Sequence, residues 1–228
     1  MSYVRQGTLF PFDESAGDLG DNERLVLVLS ALPDEGLVAW LRRHRRGRRD
    51  DYPLEMLWRW LVAKFVYQIG RFSDLVRELT RNGSLRRLVG IESLGRVPKP
   101  YHFSRLLKLL ASDEGIEQLE AMFHQLVEQL KEALPALGEY LAVDATAVHA
   151  YCDEMRKDKS DPDARWSARP KRQRRRSNGK VEEYLDYWFG YQVHLIVDCD
   201  TELPVGFEVT AANVNETTRF EPLLEQLR

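Results

Sequence analysis

The sequence predicts an α+β protein, with an all-helical first half and an antiparallel, strand-rich second half. Three observations predict it. Up to about Leu134 the apolar residues recur at helical spacing; after Pro135 the period becomes extended; and two strand-like runs, FGYQVHLIV and PVGFEVTAA, flank a short polar turn, as in a hairpin. At 228 residues and 43% hydrophobic content, the chain can bury a sizeable core as one large domain or two small ones.

In the helical half, Asn22 to Ser30 and Gly36 to His44 read as two short helices, punctuated by LPDEG. PLEMLWRWLVAKFVYQI places Leu54, Leu57, Trp58, Leu61, Phe65 and Ile69 on one face. Pro53 suits its first turn and Gly70 its end. Ser73 is the expected cap of a helix running to Arg81, which NGS is expected to stop, and Tyr101 to Leu110 forms another. The best-formed helix is ASDEGIEQLEAMFHQLVEQLKEAL. Ser112 is its N-cap, and Asp113 and Glu114 sit in the first turn, where the helix dipole favours acids. Ile116, Leu119, Phe123, Leu126, Leu130 and Leu134 form its stripe, with Met122 a core residue and His124 a packing or surface residue.

Beyond Pro135 the order is strand (EYLAVDATAV), a long basic insert, strand, strand and a short helix carrying Phe220, Leu223, Leu224 and Leu227. In the middle strand Tyr191, Val193, Leu195 and Val197 alternate with Gln192, His194 and Ile196. The organisation read from this is a lead-in over 1–40, a helical domain over 41–135 and a sheet domain over 136–228 holding a basic insert at 152–188.

No apolar run approaches the ~20 residues needed to cross a bilayer, and the N-terminus lacks the apolar core of a secretory signal. A cytoplasmic protein with no membrane partner is the expectation. Two cysteines, Cys152 and Cys199, are too few for a disulfide framework and are expected as small buried hydrophobes.

The net charge of -3 conceals an uneven distribution. LRRHRRGRR, from Leu41 to Arg49, holds six arginines and no acid; RWSARPKRQRRRSNGK, from Arg165 to Lys180, holds eight basic residues and no acid. Two such blocks in a chain that is acidic elsewhere suit a polyanion whose counterions they displace, and a nucleic acid is the expected partner. The expected phosphate contacts are Arg42, Arg43, Arg45, Arg46, Arg48 and Arg49, with Arg172, Arg174, Arg175 and Arg176 as a second, mobile set. A third element, the helix near Tyr101 with Lys99, His102, Arg105 and Lys108, either enters a groove or forms the polar face of a core helix.

One residue interrupts the first strand. Asp144 stands in an otherwise apolar run, where a buried carboxylate is costly unless paired, neutralised or metal-bound. Two readings stay open at this point. Either Asp144 lies half exposed at the strand's end, bonding Thr146 or a neighbouring amide, or it is one ligand of a divalent cation such as Mg²⁺, which takes one or two carboxylates together with phosphate oxygens and water. There is no glycine-rich phosphate loop and no zinc-type spacing; His149 and Cys152 lack a second pair.

YLAVDATAVHA, followed at a distance by YWFGYQVHLIVDCDTELPVGFEVTAANVNE, resembles the start of the catalytic core of bacterial insertion-sequence transposases of the DDE class. GRRDDYPLEMLWRWLVAKFVYQIGRFSDLVRELTRNGSLRRLVGI resembles the N-terminal transposase domain that precedes this core. The resemblance implies an incomplete ribonuclease H-like core, DNA transposition by metal-dependent cleavage and strand transfer on double-stranded DNA, and a bacterial, nucleoid-associated location. It assigns Asp144 the role of first catalytic aspartate, a ligand of two Mg²⁺ (or Mn²⁺) ions that activate a nucleophile and stabilise the leaving oxygen. Tyr191 and His194 match a GYxxH pattern, where they orient the sheet edge or insert or pack across strands. Asn213, Asn215 and Glu216 match the lead into the next helix as loop and cap residues. Gln192 stands where many relatives have Lys. The second and third acids fall beyond Arg228 in this pattern, while Asp198 and Asp200 read as turn formers. A chain of these 228 residues is therefore expected to be inactive alone, as a truncated enzyme whose missing acids come from frameshifted translation, from a separate complementing chain or not at all; a homo-oligomer is the other expected partner. The alternative is a DNA-binding repressor of transposition; a third is a remnant that does not fold.

Overall fold

The computed structural model describes residues 22–44, 52–91, 94–152, 161–168, 172–176, 180–185 and 187–225; within these, nothing is said of the side chains of Gly95, Arg172 and Arg174. The chain divides into two compact units, Met1–Gln129 and Leu130–Arg228.

In the first unit, α1 (Glu23–Ala31), α2 (Glu35–Arg43), α3 (Leu54–Val66), α4 (Phe72–Arg81), α5 (Gly83–Leu88) and α6 (Pro100–Leu110) gather around one core, and α7 (Asp113–Ala133) follows. The core is built from Leu25, Leu37, Leu41, Leu57, Leu61, Leu75, Leu79, Phe103 and Leu106, with Trp40, Trp58 and Trp60 buried among them. Each buried Trp finds an acceptor, as a buried indole requires: Glu114 for Trp40, Asp34 for Trp58 at 2.7 Å, and the Val89 carbonyl for Trp60 at 2.9 Å. Burial and the neighbouring Glu35 carboxylate push the Asp34 carboxyl above its ordinary range, against the Trp58 bond that lowers it.

Local chemistry changes several boundaries. α3 ends at Val66, ahead of Gly70, in a Schellman turn: Gln68 takes a left-handed φ of 54°, Ile69 N–H bonds the Lys64 carbonyl, and Gln68 N–H bonds the Phe65 carbonyl. Phe65, expected on the buried stripe, is 68% exposed because Trp60, Val62 and Ala63 take the inner face instead. Ser73 does not cap α4, whose N-cap position is Arg71. The NGS segment does more than stop α4: the Asn82 side chain accepts Leu85 N–H at 2.9 Å and starts α5. Ser112 caps α7 as expected, accepting Gly115 N–H. Gly115 is required there, since a Cβ would lie 2.6 Å from the Leu110 carbonyl oxygen. Ile116, at one end of the predicted α7 stripe, is exposed, whereas Leu119 and Met122 pack against the core of this unit.

The second unit is built on an antiparallel sheet. Its strands are β1 (Leu141–His149), β2 (Arg165–Ala168), β5 (Tyr187–Asp198) and β6 (Pro204–Ala211), with β5 at the centre. β1 pairs along β5 from Leu141↔Asp198 to His149↔Gly190; β2 takes over at Arg165↔Gly190; β6 pairs the opposite edge from Tyr191↔Ala211 to Val197↔Pro204. Gly190 sits where β1 hands over to β2. A Cβ there would fall 2.1 Å from the Val148 carbonyl oxygen and 2.7 Å from the Ala150 nitrogen, so only glycine allows the approach. The basic insert holds strands that the sequence analysis left as loop: β2, and a separate ribbon of β3 (Arg172–Arg175) and β4 (Val181–Tyr184). Glu216–Thr218 form a turn of 3₁₀ helix capped by the Asn215 side chain, and α8 (Phe220–Glu225) follows with Leu223 fully buried.

Candidate functional site

β5 is turned the opposite way from what its alternation suggests. Gln192, His194, Ile196 and Asp198 are the buried set, at 8, 2, 0 and 1% exposure, while Tyr191, Val193, Leu195 and Val197 are only half buried. The cause is β6 and the segment after it, which supply polar partners to this inner face. Gln192 Nε2 donates to Glu216, His194 Nε2 lies 2.9 Å from Thr210 Oγ1, and Arg219 makes a bidentate pair with Glu208. Gln192 and His194 thus each have the partner their burial demands, whereas Trp188 Nε1 on the same strand is buried without one among the described residues. Desolvation pushes the His194 imidazole below its ordinary range, more than the Glu208 and Glu216 charges raise it. Gln192, in place of a Lys, leaves that position bonded inward to Glu216.

The opposite face carries Asp144. Register places it on the same side of the sheet as Leu195 and Phe207, beside Thr146 and Val148, and it is exposed. The run around it is an edge strand, since β1 pairs only with β5 among the described residues, and it is not the buried strand its apolar character suggested. Asp144 is fourth of nine residues, away from the strand's end. Its Oδ1 accepts the Ala145 N–H at 2.8 Å; Thr146 is not its partner, and Oδ2 has none among the described residues. Asp144 thus presents an open carboxylate oxygen on a sheet face that also carries Thr146, Val148, Tyr191, Leu195 and Phe207. Among the described residues no three His, Cys, Asp or Glu side chains are grouped as a metal site. Asp144 therefore fits a divalent cation as one carboxylate ligand, the remainder of its shell being water or phosphate oxygen.

Asp198 and Asp200 do lie at the hairpin. Asp198 ends β5 and accepts Gly138 N–H at 2.8 Å, Thr201 N–H at 2.9 Å and Thr201 Oγ–H at 2.7 Å, bonds that hold its carboxyl below the usual range. Such a saturated carboxylate is a structural group. Cys199, expected as a buried hydrophobe, is exposed in the same turn, because its backbone rather than its thiol is used: its N–H bonds the Tyr140 carbonyl. Cys152 is half buried.

Tyr191 anchors the insert. It lies on the Asp144 face, opposite Val148, and its hydroxyl donates to Asp161 at the foot of β2, while Trp166 of β2 packs 5.5 Å from Phe189. Burial and the Asp161 bond push its phenol up to about 12.

The predicted DNA contacts fall in three places. Arg45, Arg46, Arg48 and Arg49 lie outside the described residues. Arg42 and Arg43 close α2, both exposed; Arg42 pairs with Glu55 at 3.0 Å, and Arg43 has no ion-pair partner among the described residues. Arg172, Arg174 and Arg175 belong to β3 and Arg176 follows it, so these form part of a two-stranded ribbon. The acids missing from the block itself arrive on the returning strand: Glu182 sits opposite Arg174 and binds Arg176 at 2.6 Å. The linear count of charges could not show that pairing.

A helical unit, and an antiparallel sheet with an exposed aspartate on its first strand and a basic insert whose foot bonds Tyr191 of the central strand, are what these observations define. Two family models match this chain: Transposase domain (DUF772) over residues 17–109 and Transposase DDE domain over residues 122–228. The chain belongs to the insertion-sequence transposases of the DDE class. No curated protein and no solved structure matches it.

Proposed function

We propose that this insertion-sequence transposase binds duplex DNA through its helical unit and basic ribbon, and that Asp144 is its first metal-binding acid. The observation that supports this best is the exposure of Asp144 in mid-strand, with one carboxylate oxygen left open, within the segment matched by the DDE domain. Transposases of this class generally use a divalent metal, which when bound polarises a DNA phosphodiester and activates the attacking oxygen. The chain's own residues do the holding. β5 fixes the register that presents Asp144, Tyr191 roots the basic insert on the same face, and the arginines of α2 and β3 offer charge to the phosphate backbone.

The test uses the 228-residue protein and Mn²⁺. Water-proton relaxation should show weak Mn²⁺ binding that Asp144→Asn abolishes, while binding of a 30-base-pair duplex stays unchanged. Equal Mn²⁺ binding by both proteins would remove Asp144 from the site. We expect no nicking of supercoiled plasmid by this chain alone; metal-dependent nicking that Asp144→Asn abolishes would show a complete site.

A second reading, a DNA-binding module that restrains transposition without cutting, is supported by the absence of any acidic cluster among the described residues. Under it, Asp144→Ala leaves a dominant-negative effect on transposition in cells intact.

A further inference from the structure

We infer that the outward face of α6, formed by Tyr101, Ser104, Arg105 and Lys108, is a docking surface for duplex DNA. This rests on the reading above that the protein binds DNA, and it assigns the contact to a particular helix. From Ser93 to Ser112 the sequence carries Arg96, Lys99, Arg105 and Lys108 and no acid, although the whole chain has 36 Asp and Glu residues among 228. The fold settles which way the helix points. Phe103, Leu106 and Leu110 are buried in the core, so Tyr101, Ser104, Arg105 and Lys108, spaced i, i+3, i+4 and i+7, share the exposed face.

That face is neither neutralised nor loose. Three other exposed arginines of this unit pair with nearby acids, Arg42 with Glu55, Arg77 with Asp74, and Arg81 with Glu78, whereas Arg43 at the end of α2 does not. Arg105 and Lys108 have no ion-pair partner among the described residues. Instead the Arg105 guanidinium lies 5.2 Å over the Tyr101 ring, Tyr101 packs 4.1 Å from His102, and His102 packs 4.2 Å from Tyr52. His102 Nδ1 also accepts Lys99 N–H at 3.0 Å, which holds the ring at the start of the helix. A chain of rings thus fixes Tyr101 and Arg105 before any partner arrives, and two like charges three residues apart repel each other unless an anion lies over them. The occupant is duplex DNA, because charge complementarity demands a polyanion and the major groove admits an α-helix with phosphates on either side.

Fluorescence anisotropy with a labelled random-sequence 30-base-pair duplex, across a salt series, tests this. Arg105→Ala with Lys108→Ala should weaken binding at least tenfold at ~0.1 M salt and lower the slope of log K against log salt by about two, one counterion per lost contact. Arg105→Lys with Lys108→Arg should keep the slope, and Tyr101→Leu should weaken binding without changing it. Circular dichroism confirms that each surface variant is folded. An unchanged affinity and slope in the double alanine variant would overturn the assignment to α6 while leaving DNA binding by the protein in place. If the unaltered protein shows no salt-dependent binding, both readings fall.

Discussion

Asp144 and His194 sit on neighbouring strands, in a register where Ala145 faces His194, yet the sheet treats them oppositely. Asp144 is exposed, with one carboxylate oxygen on a local amide and the other open; His194 is sealed at 2% exposure and depends on Thr210. Substitution should separate these roles. Asp144→Asn should leave stability within about 0.5 kcal/mol, as for exposed positions generally. Thr210→Val keeps the shape but leaves a buried imidazole nitrogen unpaired, which should cost about 1–3 kcal/mol in urea unfolding of the sheet unit. A Thr210→Val protein as stable as the parent would mean that the hydroxyl contributes nothing there.

Among the elements, the insert gains most from tertiary context. β2 continues along β5 where β1 stops, Tyr191 bonds Asp161 at its foot, and β3 and β4 bring Arg176 to Glu182. The exposed pair at the ribbon contributes little, of the order of 1 kcal/mol or less, so the root is what holds the insert in place. Tyr191→Phe should therefore raise amide exchange across residues 161–168 and leave the β1–β5 and β5–β6 ladders protected. Equal loosening of all the ladders would place Tyr191 in the core of the sheet instead.

At the scale of the molecule, pH acts on both units, since burial also holds the His102 imidazole of the helical unit below its ordinary range. Because His194 is held below its ordinary range, the folded sheet unit binds fewer protons than its unfolded chain; its stability is complete above the unfolded value near 6.5 and falls as pH drops below it. Asp198, also depressed, adds stability that is present above its unfolded value near 3.8 and lost as pH falls through its folded value. Asp34 in the helical unit has the opposite sign: its raised folded value makes protonation favour the fold, so its burial cost fades as pH falls. Hydrogen exchange followed from pH 7 to pH 5 should show protection lost in β5 and β6, and His194→Gln should flatten that loss. An unchanged loss in His194→Gln would contradict this assignment.

The sequence by itself determined where α1 to α4, α6 and α7 and the strands β1, β5 and β6 lie to within a few residues, where the period changes, that Ser112 starts α7, that Asp198 and Asp200 make a turn, and, by resemblance, which family the chain joins. These are readable because caps, turns and periodicity act over a few residues along the chain. Only the tertiary structure decided which face of β5 lies inside, that Asp144 is exposed on an edge strand, that Gln68 rather than Gly70 ends α3, and that the second arginine block pairs with acids on a returning strand. The physical reason is that burial of a strand face is set by what packs over it. In β5 the partners of Gln192 and His194 come from Glu216 and Thr210, 24 and 16 residues further on, and no local pattern could favour a polar face over an apolar one as the inside.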